Sequence, residues 1–137
     1  MSVHKNGRCK GETTSTACLL CHNINGKGND YGPALSGFGK AQTAEVVINA
    51  IVNPSAEISH GFDGRILALR DGGEIHGIVL SAGDPVIVQS MGGLTQMIPA
   101  AKIRSSQPLG RSLMLSAEQL GLTAQDVADI AAYLKTQ

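Results

Sequence analysis

The sequence predicts a mainly α-helical domain over residues 1–137, with a small antiparallel β-sheet inserted over residues 62–106, α+β overall. Three observations lead there. Apolar residues recur at helical spacing in two stretches, one beginning near residue 43 and one ending near the C-terminus. Between them, from about residue 65 to about residue 104, the periodicity becomes that of strands. A hydrophobic fraction of 42% over 137 residues is enough to bury one core and argues against disorder.

Residues 1–17 are polar, and Gly7, Gly11 and the run Thr13-Thr14-Ser15-Thr16 make them poor helix formers. Residues 23–40 read as a glycine-rich loop carrying Gly26, Gly28, Gly32, Pro33, Gly37 and Gly39. A helix is expected from about Thr43 to Val52, with Val46, Val47, Ala50 and Ile51 on one face. Pro54 ends it, because the residue before a proline is driven out of the helical region. Ile66 to Leu69 and Glu74 to Leu80 flank Asp71-Gly72-Gly73, the signature of a hairpin. Val86 to Val88 and Leu94 to Ile98 read as two further strands, and Ala100 to Arg104 as a fifth. The last helix is the best marked. Thr123 stands at its N-cap with Asp126 three residues on, and Leu122 and Val127 form a hydrophobic staple. Val127, Ile130, Ala131 and Leu134 then make its apolar stripe.

Composition narrows the function. Eleven basic and eleven acidic residues give zero formal charge, and neither a basic block nor an acidic tail is present, so nucleic acid is not an expected partner. No run is long enough to span a membrane, and no apolar leader resembling a signal peptide is visible. Aromatic residues make up only 3% of the chain, with no tryptophan. Either a core of small aliphatic residues or a large planar cofactor accounts for that.

Two of the three cysteines fall in one run, Cys18-Leu19-Leu20-Cys21-His22, and Cys9 is left over. Two thiols at this spacing can add to the two vinyl groups of one haem, which leaves the following histidine held beneath the iron. The spacing alone also admits other chemistry. A redox-active dithiol needs a strand–helix context, which these flanks do not suggest. Structural zinc needs two more ligands, for which Cys9, His60 or His76 would have to be drafted, since no second Cys-x-x-Cys and no pair of histidines separated by three to five residues is present.

Downstream residues add a resemblance. Gly32-Pro33-Ala34-Leu35-Ser36-Gly37 follows the cysteine motif at the distance seen in class I c-type cytochromes, and Asp129-Ile130-Ala131-Ala132-Tyr133-Leu134 is similar to their C-terminal helix. The chain resembles more closely the haem-binding cytochrome c domain found at the C-termini of large planctomycete and verrucomicrobial proteins. The matching residues are Asn53-Pro54-Ser55, the Asp71-Gly72 hairpin with Gly77, Ile98-Pro99 leading to Ile103, and Ser112-Leu113-Met114. The resemblance covers about residues 17–135, departing from the pattern before the cysteine motif and at Leu115. It implies a mainly α cytochrome c fold around one haem c, attached through Cys18 and Cys21 and ligated by His22. It implies too that the Pro33 carbonyl accepts a hydrogen bond from His22 and that Leu35 lines the pocket. Haem attachment of this type occurs outside the cytoplasm, so a periplasmic or other extracytoplasmic location is expected, with a natural leader removed and Met1-Ser2 an artificial start.

Five residues compete for the sixth ligand position: Met91, Met97, Met114, His60 and His76. A lone methionine usually fills a core. Met114 stands apart because it precedes the last helix where class I cytochromes place their ligand loop. Leu35, Phe38, Ile51, Leu113, Leu120, Ile130 and Leu134 are expected to wall the haem, and Arg65, Arg104 and Arg111 are candidates for its propionates. The expected function is single-electron transfer without enzymatic turnover. Its partner would be a redox protein or a neighbouring domain of a longer parent chain, and the inserted sheet is a docking surface, a cover over the haem edge, or a stabilising decoration. The alternative is a haem-based ligand sensor or haem enzyme with an open or labile sixth position.

Overall fold

A computed structural model of the chain describes residues 17–137. Cys9 and the polar N-terminal segment lie outside the described residues. The chain divides into two compact units: residues up to Glu57 together with Met114–Gln137, and the intervening Ile58–Leu113.

The described residues of the first unit open with a helical turn at residues 17–19. A short hairpin of β1 (Asn23–Ile24) and β2 (Lys27–Gly28) follows, pairing Asn23 with Gly28 and Ile24 with Lys27. Its turn is Asn25-Gly26, both with positive φ (50° and 82°), the conformation that two-residue hairpins require. The loop expected over residues 23–40 therefore contains a hairpin, and it also contains a one-turn helix, α1 (Phe38–Ala41). Helix α2 (Ala44–Val52) is capped by Thr43, whose hydroxyl accepts the Val46 N–H at 3.3 Å. Helix α3 (Ala124–Leu134) carries the full capping box. Asp126 N–H donates to Thr123 Oγ1 at 3.1 Å, and Thr123 N–H donates to Asp126 Oδ2 at 2.9 Å. Each reciprocal bond satisfies a backbone donor that the first helical turn leaves unpaired.

One core holds this unit together. Val47 and Ile51 of α2 meet Val127, Ile130, Ala131 and Leu134 of α3, with Ile24 and Ala117 completing the cluster. The α3 stripe is the one its periodicity predicts. On α2 only Val47 and Ile51 are buried, while Val46 is 44% exposed. The pair four residues apart faces the core, and the neighbouring position rotates away. Ala117 N–H donates to Ile51 O at 2.9 Å, which ties the returning chain to α2.

The second unit is a five-stranded antiparallel sheet in the order β6-β5-β4-β3-β7. Its strands are β3 (Arg65–Leu69), β4 (Glu74–Ser81), β5 (Val86–Gln89), β6 (Thr95–Ile98) and β7 (Ile103–Pro108). The β3–β4 turn is fixed by Asp71, whose carboxylate accepts the Gly73 N–H at 3.0 Å. Long β4 pairs with β3 along its first half and with β5 along its second, with a bulge between Val79 and Ser81. Leu67, Val88 and Ile98 form the core, with Ile75, Val79 and Ile103 against it. The fifth strand lies further along than expected. Ala100–Lys102 is a 3-10 turn, and the strand begins at Ile103, where the chain pairs with β3.

These strands correct the predicted fold class. The described residues form a mostly β structure, a five-stranded sheet and a two-stranded one, with helices of four, nine and eleven residues. It is not the mainly α cytochrome c fold that the resemblance implied. The helical signals at residues 43–52 and 123–134 are real but short, whereas strand structure runs to Pro108 and reaches back into the glycine-rich segment. No helix among the described residues is long and apolar enough to cross a membrane.

Candidate functional site

The site is built on the turn that carries the two cysteines. Cys18 O accepts the N–H of Cys21 at 3.2 Å and of His22 at 2.9 Å, so the three side chains project from one helical turn. The turn then stops, and its last carbonyls would be left unpaired. The following loop folds back to satisfy them. Asn29 donates its backbone N–H to Leu19 O at 3.0 Å and its side-chain amide to Leu20 O at 3.0 Å, and Gly32 N–H donates to Cys21 O. The loop is thereby fastened to the turn residue by residue.

This fastening delivers Pro33 to His22. The imidazole Nδ1 lies 2.7 Å from the Pro33 carbonyl oxygen, and His22 is only 9% exposed. A carbonyl can only accept, so Nδ1 carries the proton and donates. A neutral ring in that tautomer has its lone pair on Nε2, the nitrogen that remains for a metal. Such a bond also fixes ring orientation and raises ligand basicity. Gly32 is shaped to the same ring: a Cβ there would lie 2.7 Å from His22 Cε1 and 2.9 Å from Nδ1. Gly32→Ala is therefore expected to displace a pinned imidazole and cost roughly 1–3 kcal/mol, as overpacking does elsewhere. A lower urea midpoint would register this, and an unchanged midpoint would show that the ring is not held.

Cys18 and Cys21 are half-buried and not joined to each other in a disulfide. Leu35 is half-buried against the core of this unit, its N–H donating to Asn23 O at 2.9 Å. Tyr31, in the same loop, is 4% exposed. Burial pushes its phenol above the ordinary tyrosine range, and the Cys21 sulfur adds to the rise.

The candidates for the sixth position separate cleanly. Met91, Met97, His60 and His76 belong to the sheet unit, and Met114 is the one that shares a unit with His22. Met91 and Met97 are exposed, and His76 Nε2 sits 3.3 Å from Glu74 Oε2 on the strand surface. Met114 is half-buried at the start of the returning segment. That segment is held by the Ala117–Ile51 bond and by a turn in which Ser116 N–H donates to Gln119 Oε1 at 2.9 Å and Gln119 N–H to Ser116 Oγ at 3.2 Å.

The expected pocket wall separates too. Ile51, Ile130 and Leu134 are buried in the first unit, and Leu35 and Phe38 pack on them. Leu120 is 37% exposed, and Leu113 belongs to the sheet unit, where it packs on Gly64. Arg65, Arg104 and Arg111 also lie in the sheet unit, and the Arg65 guanidinium is engaged with Ser106 at 2.8 and 2.9 Å. Among the described residues no three His, Cys, Asp or Glu side chains converge to hold a metal ion. The zinc reading thus has no ligand set among them.

Sequence reasoning missed Tyr31 and Asn29. Asn29 carried a usable signal, an amide donor in the loop after a helical turn whose last carbonyls need donors. Tyr31 carried none, since a single tyrosine in a glycine-rich loop reads as exposed. No protein-family model matches the chain, and no curated protein matches it.

Proposed function

We propose that this chain carries one haem c, attached by thioether bonds through Cys18 and Cys21, that His22 Nε2 and Met114 Sδ would hold its iron, and that the chain transfers single electrons. The observation that supports this most directly is the 2.7 Å contact between His22 Nδ1 and the Pro33 carbonyl. A surface histidine needs no such partner. A ligand histidine does, because the second nitrogen sets the tautomer of the first.

The residues present suit the group. Two thiols lie one turn apart beside a buried imidazole, and a glycine stands where any side chain would strike that ring. The bound haem would supply an iron that cycles between ferrous and ferric states. The chain's own contribution is to hold the imidazole rigid, keep water from it, and place an apolar core next to it, which lowers the reorganisation that accompanies a change of charge. A thioether ligand would favour the ferrous state and raise the potential. Two protein ligands would leave no coordination position for a substrate, which is why electron transfer is favoured over catalysis. The natural electron donor or acceptor would be a redox protein or a further domain of a longer parent chain, outside the cytoplasm.

Expression together with haem-attachment machinery tests the reading. The expected product is a red protein whose intact mass exceeds that of the polypeptide by one haem, with a low-spin spectrum in both oxidation states. A colourless polypeptide of unmodified mass would refute it.

A further inference from the structure

We propose that strand β6 is a homodimerisation edge: its residues Thr95, Gln96 and Met97 pair antiparallel with the same residues of a second copy of this chain, joining two five-stranded sheets across a two-fold axis. The pairing involves the sheet unit alone and does not depend on haem.

The backbone pattern identifies the open edge. Strand β6 is outermost on one side of the sheet and β7 on the other. Ser90 N–H donates to Leu94 O at 2.8 Å. The alternation of an antiparallel pair then directs the N–H and C=O groups of Gln96 and Ile98 to β5, and those of Thr95 and Met97 outward. Among the described residues nothing pairs with that side of β6. The β7 edge is closed by contrast. The same alternation, set there by Leu109 N–H on Gly64 O, turns Ser106 and Pro108 outward. The Ser106 carbonyl already accepts from Arg65 Nη2 at 2.9 Å, and Pro108 has no N–H to offer. Edge strands are usually guarded by such devices or by charge. Around β6 the charge guard is missing, since no charged residue occurs from Pro85 to Ala101. The most exposed large apolar side chains of the described residues, Met97 (70%), Leu94 (60%) and Met91 (58%), all belong to this edge and the turn before it.

These features select a second copy as the occupant. When two such sheets meet edge to edge, only β6 on β6 joins two open edges, so pairing closes at a dimer and does not propagate into a filament. The strand is also complementary to itself. With Gln96 on the axis, Thr95 N–H donates to Met97 O of the second copy and Met97 N–H to Thr95 O, and the two-fold repeats both bonds. Met97 then lies against Thr95 of the second copy on one face, and Leu94 against Ile98 of the second copy on the other. The two Gln96 amides meet, and each can donate and accept. No like charges are opposed. Pro99, which has no N–H, and the 3-10 turn Met91–Gly93 end the ladder on either side. The contact is therefore short, below the roughly 1,200 Å² at which standard interfaces begin, and the dimer is a weak one.

The test carries the full chain to millimolar concentration in sedimentation equilibrium, under reductant so that no disulfide joins two copies. The wild type is expected to show a monomer–dimer equilibrium. Met97→Lys should weaken it roughly tenfold or more by charging the edge. Met97→Pro, which deletes an outward-facing N–H and no bond within the sheet, should act in the same direction. Gln107→Lys on β7 should leave the equilibrium unchanged. In wild-type protein mixed from isotope-labelled and unlabelled chains, a nuclear Overhauser contact between the two Gln96 α-protons is expected, because facing residues outside the hydrogen-bonded pairs approach closest. A monomer throughout the range would overturn the inference. So would a dimer that lacks this contact or that Met97→Lys leaves intact. The wild-type contact decides the matter even where a variant folds poorly.

Discussion

Replacing Cys18 and Cys21 together by alanine is expected to abolish covalent haem, leaving the intact mass at that of the bare polypeptide and no haem stain on a denaturing gel. On the proposed attachment each cysteine would supply one carbon–sulfur bond to one vinyl group, so the effect would be stepwise. Cys18→Ala and Cys21→Ala alone should retain one bond, with one vinyl left conjugated to the ring and the absorption bands shifted to longer wavelength. A double variant that still binds haem reversibly through His22 would fit the same reading, because the Pro33 contact that prepares this ligand does not depend on the thiols. Alanine variants indistinguishable from wild type in mass and colour would sink it. Neither substitution removes a residue of the buried core, so the loss of haem can be read without a collapse of the fold.

Met114→Ala is expected to open the sixth position. The weak far-red band of sulfur–iron ligation should vanish, and the ferrous protein should bind carbon monoxide rapidly and to one equivalent where the wild type binds little. The reduction potential should fall by on the order of 100 mV, a modest part of the range of ~0.8 V that axial ligands command. Stability should drop by about 1–2 kcal/mol, less than for a fully buried methionine, since Met114 is half-buried. Were the wild type itself to bind carbon monoxide as readily as the variant, Met114 would not be a ligand, and a ligand sensor or a haem enzyme would become the better account. Met114 is singled out by topology: the other candidates all belong to the sheet unit.

What was legible in the sequence was local. Thr123 and Asp126 announced a helix start because a capping box is closed within four residues, and the stripe from Val127 to Leu134 announced the buried face. Asp71-Gly72 announced a hairpin for the same reason. The approach of Pro33 to His22 came from the resemblance of Gly32-Pro33 to a family pattern, since no periodicity joins residues eleven apart through a loop. The mainly α fold class came from the resemblance: the strands between residues 65 and 104 are legible, but they read as an insertion and not as the larger part of the structure. Asn25-Gly26 is a strong turn signal, yet the strands beside it are two residues each and show no alternation to read. Strand β7 begins later than expected because Ala100-Ala101-Lys102 take a 3-10 turn, and pairing with β3 decides where the strand begins. Tyr31 stayed invisible because its burial depends on backbone bonds made by residues on either side of it.

The first unit is discontinuous, and this has a consequence for how the chain acquires its structure. The cluster of Ile24, Val47 and Ile51 with Val127, Ile130 and Leu134 can form only after the whole of Ile58–Leu113 has been looped out. The loop is not slack once the sheet exists. Pairing of β3 with β7, extended by the bond from Leu109 N–H to Gly64 O at 2.9 Å, brings the two ends of that segment together. A prefolded sheet therefore replaces a long flexible closure by a short one, a saving of about 1 kcal/mol in chain entropy. The sheet pairs neighbours in sequence along β3-β4-β5-β6, contacts that form early, whereas the helical core spans the greatest separations in the chain. Ordered this way, assembly runs from the middle outward. The cysteine turn precedes the sheet in the chain, but the core of its unit closes only once helix α3 has been made. Until then the turn that carries Cys18, Cys21 and His22 lacks the completed core of its unit.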